Sequence, residues 1–147
     1  MIDNRSLKRI STVAGTLSAA LLLTVTQANA AAEVERATAT ESGNDVFWAK
    51  CVNKYYDGAN RYQACFSPAG DWFSVSDFDS DGSSAVVDWE VGNRSGSIFN
   101  ADGFGAVRYK NKDFPEDATI RFRICLGHWS TKTITGGSCS GWVSNLT

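Results

Sequence analysis

A chain of 147 residues with 14 Lys and Arg against 16 Asp and Glu carries a formal net charge of −2. Beyond the first ten positions it has no basic run. That excludes nucleic-acid binding by counterion displacement from phosphates. The length suits one hydrophobic core rather than two, and no apolar stretch after residue 30 approaches the roughly 20 residues that span a bilayer.

Residues 1–30 read as an export signal. Arg5, Lys8 and Arg9 form a positive n-region, TVAGTLSAALLLTVT an apolar core, and Ala28-Asn29-Ala30 a small-x-small cleavage site. The mature chain is expected to begin at Ala31. No cysteine follows the cleavage site, so lipid anchoring has no attachment point, and a secreted, extracellular protein is the expectation. An uncleaved anchor is disfavoured by Thr16, Ser18, Thr24 and Thr26, which interrupt the apolar core.

Residues 31–45, AAEVERATATESGND, are rich in Ala, Thr and charge and hold one sizeable aliphatic residue, Val34. They read as a flexible N-terminal lead, with a disulfide-bonded β-domain over 46–147. From Val46 the texture changes to short apolar and aromatic runs cut by Gly, Asn, Asp and Ser, a strand-and-turn pattern. The spacing predicts strands at 47–56, 61–66, 72–78, 85–91, 105–110, 118–126 and 141–144. In 118–126, Ile120, Phe122, Ile124 and Leu126 alternate with Thr119, Arg121, Arg123 and Cys125; in 85–91, Val87, Trp89 and Val91 share a face opposite Val86, Asp88 and Glu90. Roughly seven short strands make the expected class all-β, a small β-sandwich or barrel.

Export turns the four cysteines into disulfide candidates. Cys51 and Cys65 are separated by fourteen positions, as are Cys125 and Cys139. Of three connectivities, local pairing is favoured because each bond staples neighbouring strands. No C-x-x-C pair is present, so redox exchange and structural zinc lack their spacing signature.

Asp77-Phe78-Asp79-Ser80-Asp81-Gly82 reproduces the first positions of a calcium loop, where alternate carboxylates converge on a hard cation. Ser84 and Asp88 stand where an aliphatic and a glutamate belong, and both flanks are strand-like. A β-turn with solvated aspartates is the favoured reading. His128, the single histidine, follows the best strand in Gly127-His128-Trp129 and reads as a surface residue rather than a general base. Asp77, Asp79, Asp81, Asp88 and Glu90 are the candidates by type for paired-carboxylate hydrolysis. With no nucleophile or acid–base signature, a non-enzymatic protein without cofactor or metal is expected.

The aromatic content is the better lead. Trp48, Trp72, Trp89, Trp129 and Trp142 accompany Tyr55, Tyr56, Tyr62 and Tyr109, and exposed aromatic faces grip flat partners and sugar rings. Core packing is the competing use: Trp89 alternates with valines and belongs inside, whereas Tyr55, Tyr56 and Trp129 are expected at the surface.

The order GDWFSVSDFDSDGSSAVVDWEV, NADGFGAVRY, ATIRFRICLGHW and SCSGW, within residues 51–142, resembles a group of small secreted actinobacterial proteins of unknown function. The resemblance implies a signal peptide and one disulfide-stapled β-domain with Gly70-Asp71 and Asp81-Gly82 at turns. It implies no activity and no catalytic residues. The expected function is therefore binding, to an extracellular or cell-wall polysaccharide or to a protein. Two other classes stay open: an inhibitor or toxin presenting the Tyr55 to Arg61 loop, and a small hydrolase.

Overall fold

The computed structural model describes residues 30–40 and 47–147; apart from Ala30, the expected signal lies outside the described residues. Among them are ten strands and no helix: β1 (Glu33–Arg36), β2 (Lys50–Tyr56), β3 (Ala59–Ser67), β4 (Trp72–Asp77), β5 (Ser84–Val91), β6 (Arg94–Asn100), β7 (Val107–Asn111), β8 (Thr119–His128), β9 (Thr133–Ile134) and β10 (Val143–Leu146). They form two sheets, ordered β1-β6-β5-β8-β10 with β9 folded onto β8, and β2-β3-β4-β7. The fold is an all-β sandwich.

Alternation dictates what faces inward. Val87, Trp89 and Val91 of β5 and Ile120, Phe122 and Ile124 of β8 are buried, opposite Phe66, Phe73 and Val75 of the other sheet. Five aromatic rings, Phe66, Phe73, Trp89, Phe114 and Phe122, meet at centroid distances of 5.0 to 6.4 Å. Each fully buried side chain of this size contributes about 1.5–3 kcal/mol, so this cluster dominates the core.

Both disulfides pair locally, Cys51–Cys65 and Cys125–Cys139. The first joins residues directly opposite on β2 and β3. The second pins the segment after β9 over the outer face of the larger sheet. There Val86, Phe99 and Cys125 form a second buried cluster, with Trp129, Ile134 and Cys139 packed against it.

Two expectations are corrected. The lead at 31–45 contains a strand, β1, which pairs in parallel with β6; Thr38 then bridges to Tyr109 of β7, in the other sheet. Its anchors are Glu33 and Glu35, whose carboxylates meet Arg94, Lys110 and Lys112. Ion pairing thus replaces the apolar alternation that marks a strand in sequence. The strand β6, RSGSIFN, falls in a stretch assigned no strand. Its first half is polar and contains glycine, yet it pairs with β5 along its length and with β1 over residues 96–99.

Candidate functional site

The register brings four connections to one end of the sandwich. Ser84 pairs with Gly127 and Ala85 with Asn100; Tyr62 pairs with Asp77, and Ser76 with Val107. The β2–β3 turn, the β4–β5 segment 78–83, the β6–β7 segment 101–106 and the β8–β9 turn 129–132 therefore cluster at this end.

Local chemistry explains each connection. Asp57 and Gly58 take φ of 51° and 77°, the pair of left-handed residues that a two-residue hairpin turn requires. Tyr55 to Arg61 is thus a tight hairpin rather than an extended loop. In the β4–β5 segment Asp77 Oδ1 accepts the Asp79 N–H at 3.0 Å, and Asp81 Oδ1 accepts the Ser83 N–H at 2.8 Å. Such side-chain-to-backbone bonds two residues on are Asx turns. In the β6–β7 segment Asn100 donates its side-chain amide to Val75 O at 3.0 Å and Ala106 O at 2.8 Å, fastening this loop to β4.

Between these two segments lies an open groove of about 310 Å³, lined by Asp79, Ser80, Ser83, Asp102 and Phe104, among others. Phe104 is 67% exposed. Asp102 accepts from both Arg36 and Arg108, and these hydrogen bonds hold its carboxyl below the usual range. Asp79 pairs with Arg61 at 3.7 Å.

Beneath the acidic segment, Asp77 is fully buried, and its Oδ2 has no hydrogen-bond partner. Burial pushes its carboxyl up to about 6, with the charges of Asp81 and Asp79 adding to the effect against the bonds it accepts from backbone. Tyr62, its register partner, is fully buried too. Burial first, and then the Asp81 carboxylate beside it, drives the Tyr62 hydroxyl well above its ordinary value.

The structure separates the expected site residues. Asp77, Asp79 and Asp81 stay at the loop end and serve as turn caps and surface charges, and they do not gather around one point. Among the described residues, the one set of three ligand atoms within 4.8 Å of one another is Asp88 with Cys125 and Cys139, whose sulfurs are bonded to each other. Asp88 and Glu90 lie on the outer face of the larger sheet, paired with Arg123 and Arg121 at 2.7 Å each. The five candidate carboxylates therefore do not form a single centre. His128 is exposed at the end of β8.

Tyr55 and Tyr56 are exposed, at 58% and 40%. Trp129 is not the free surface ring expected of it: it is half-buried with its ring 5.7 Å from Phe99. Trp48 stacks on Tyr109 at 6.3 Å, and Trp142 lies under the guanidinium groups of Arg121 and Arg123. The exposed rings that sequence reasoning passed over are Phe47, Phe78 and Phe104. The signal for Phe104 was its setting in Gly103-Phe104-Gly105, where both glycines take positive φ of 73° and 78°.

Neither a family model, nor a curated protein, nor a solved structure matches the chain.

Proposed function

We propose that this is an exported binding protein without enzymatic activity, which holds an extracellular or cell-wall polysaccharide at the loop end of its sandwich. One observation carries the reading. Phe104, largely exposed, stands on the wall of a groove whose polar lining groups are the carboxylates and hydroxyls of Asp79, Ser80, Ser83, Ser84 and Asp102. An aromatic face suits the C–H side of a sugar ring, and a few placed polar groups fix its hydroxyls. The two disulfides fit an extracellular setting.

A protein partner is the second reading, since Phe78 and Phe104 are exposed rings with no polar handle. The experiment is depletion of the oxidised mature protein from solution by insoluble polysaccharides and cell-wall sacculi. Retention on one of them, abolished by Phe104→Ala, supports the glycan reading. No retention on any transfers the function to a protein partner.

A further inference from the structure

We propose that a proton on Asp77 sets the shape of the loop-end groove, closing it when bound and loosening it when lost. The consequence for ligand rests on the binding reading above; the loop behaviour does not.

Asp77 is tied to both walls of the groove. Its Oδ1 holds the Asp79 N–H of the 78–83 segment at 3.0 Å. Its own N–H donates to Ala106 O at 3.1 Å, and its carbonyl accepts the Gly105 N–H at 2.8 Å, both from the 101–106 segment. The side chain is fully enclosed, and Oδ2 makes no well-formed hydrogen bond.

The groups around it do not supply a compensating cation. From β3 comes Tyr62, neutral and buried, whose hydroxyl makes no well-formed hydrogen bond. Arg61, also on β3, pairs with Asp79. From its own segment come the carboxylates of Asp79 and Asp81, which repel it; β5 offers the Ala85 backbone N–H. The 101–106 segment reaches it through the backbone of Gly105 and Ala106. An ionised carboxylate enclosed in this way is costly. Protonation removes the enclosed charge and its repulsion from Asp79 and Asp81. The raised Asp77 carboxyl, near 6, places the change in the range of mildly acidic to neutral surroundings.

The test needs no ligand. Carboxyl carbon NMR titration of the oxidised protein between pH 4.5 and 7.5 is combined with amide hydrogen exchange at 79–83 and 103–106, corrected for intrinsic pH dependence. The expected result is an Asp77 transition near pH 6, with protection at those amides falling about tenfold above it, the factor that one pKa unit of coupling represents. In Asp77→Asn, protection stays high at both ends of the range. An Asp77 titration at the ordinary carboxylate value, or protection unchanged through the transition, overturns the proposal. Should Asp77→Asn not fold, the wild-type titration and exchange decide alone. Failure here leaves the polysaccharide reading standing, and absence of retention on polysaccharide leaves this result standing.

Discussion

Lys112 Nζ stands 2.6 Å from Glu33 Oε2, at the edge of the sandwich where β1 meets the strand β7 of the facing sheet, and the lysine side chain is 4% exposed. It also pairs with Glu35, which in turn holds Lys110 at 2.8 Å. Arg94 binds Glu33 at 3.0 Å, and Asp102 joins Arg36 to Arg108. Lys110 and Arg108 pair in register with the core residues Phe73 and Val75, so they point toward the interior where apolar residues would otherwise sit. A seam of charge thus closes one side of the core.

Breaking that seam from either side has unequal cost. Glu33 and Glu35 keep side-chain exposures of 31% and 23%, so losing Lys112 leaves them hydrated and still paired with Arg94 and Lys110. Losing both carboxylates leaves a buried ammonium over the Trp89 ring with no counter-charge. Glu33→Gln/Glu35→Gln is expected to cost about 3 kcal/mol or more and Lys112→Met less, read as urea unfolding midpoints. The reverse order would show that the carboxylates, not the lysine, carry the burial penalty.

Stability is expected to peak in mild acid. Burial opposes ionisation of Glu33 and Glu35, but the hydrogen bonds and charges of Arg94, Lys110 and Lys112 hold both carboxyls below their ordinary value of 4.5. Depressed carboxyls contribute stability above that value and lose it as pH falls through their folded values. Asp77 has the opposite sign: raised from 3.8 to about 6, its contribution is complete below 3.8 and is lost as pH rises through 6. Melting temperatures from pH 3 to 8 should therefore pass through a maximum at about 4.5 and fall from there to about 6. A steady rise to pH 8 would sink this account of Asp77.

Gly96 is where β6 admits β1. A Cβ built there lies 2.5 Å from the Glu33 carbonyl oxygen and 2.8 Å from Trp89 Cζ2, contacts that neither backbone nor a packed indole can relieve without moving. Gly96→Ala is expected to destabilise by about 2 kcal/mol or more and to deprotect the amides that join β1 to β6. Gly136→Ala, with nothing within 4 Å and no positive φ, is the neutral control. Equal melting temperatures for the two variants would mean that β1 yields freely.

Ile120, Phe122 and Ile124 made β8 legible because burial on one face and solvent on the other write period two directly into the sequence. The cysteine spacing was legible for a similar reason, since a hairpin register fixes which residues oppose. The strand β1 was not, because Glu33 and Glu35 occupy the inward positions and read as solvated charge until Lys112, 79 positions away from Glu33, is placed beside them. The acidic turn was found and its turn character follows from its Asx bonds. What sequence could not supply was its neighbour, the 101–106 segment, since the groove is made by long-range fastenings, Asn100 to Val75 and Ala106 and the Asp77 backbone to Gly105 and Ala106.

Phe104 and Trp129 separate binding from folding. Phe104 lies exposed on a turn, so Phe104→Ala should leave the stability within about 0.5 kcal/mol of wild type while removing retention on whatever the groove holds. Trp129 packs on Phe99, and Trp129→Ala should lower stability by about 2–3 kcal/mol. Calorimetry of both variants checks the assignment. A stable Trp129→Ala that no longer binds would move the site to the β8–β9 turn.

The two disulfides close loops of the same sequence separation, 14 residues, and chain entropy alone gives each about 3 kcal/mol. Their surroundings differ. Cys51 is exposed, and its bond lies within a β2–β3 ladder that the backbone already holds. Cys125 is fully buried beside Val86 and Phe99, and its bond to Cys139 holds the segment covering them. Besides that bond the segment is held to β8 by two backbone bonds, Ser140 N–H to Ile124 O and Thr135 N–H to Leu126 O at 2.8 Å each, and by the Ser138 and Ser140 hydroxyls, fewer fastenings than the β2–β3 ladder supplies. Removing the second bond therefore uncovers apolar surface as well as restoring chain entropy. Cys125→Ser/Cys139→Ser is expected to lose more stability than Cys51→Ser/Cys65→Ser and, unlike it, to bind a hydrophobic dye; equal losses with no dye binding would show that the segment stays in place without its bond.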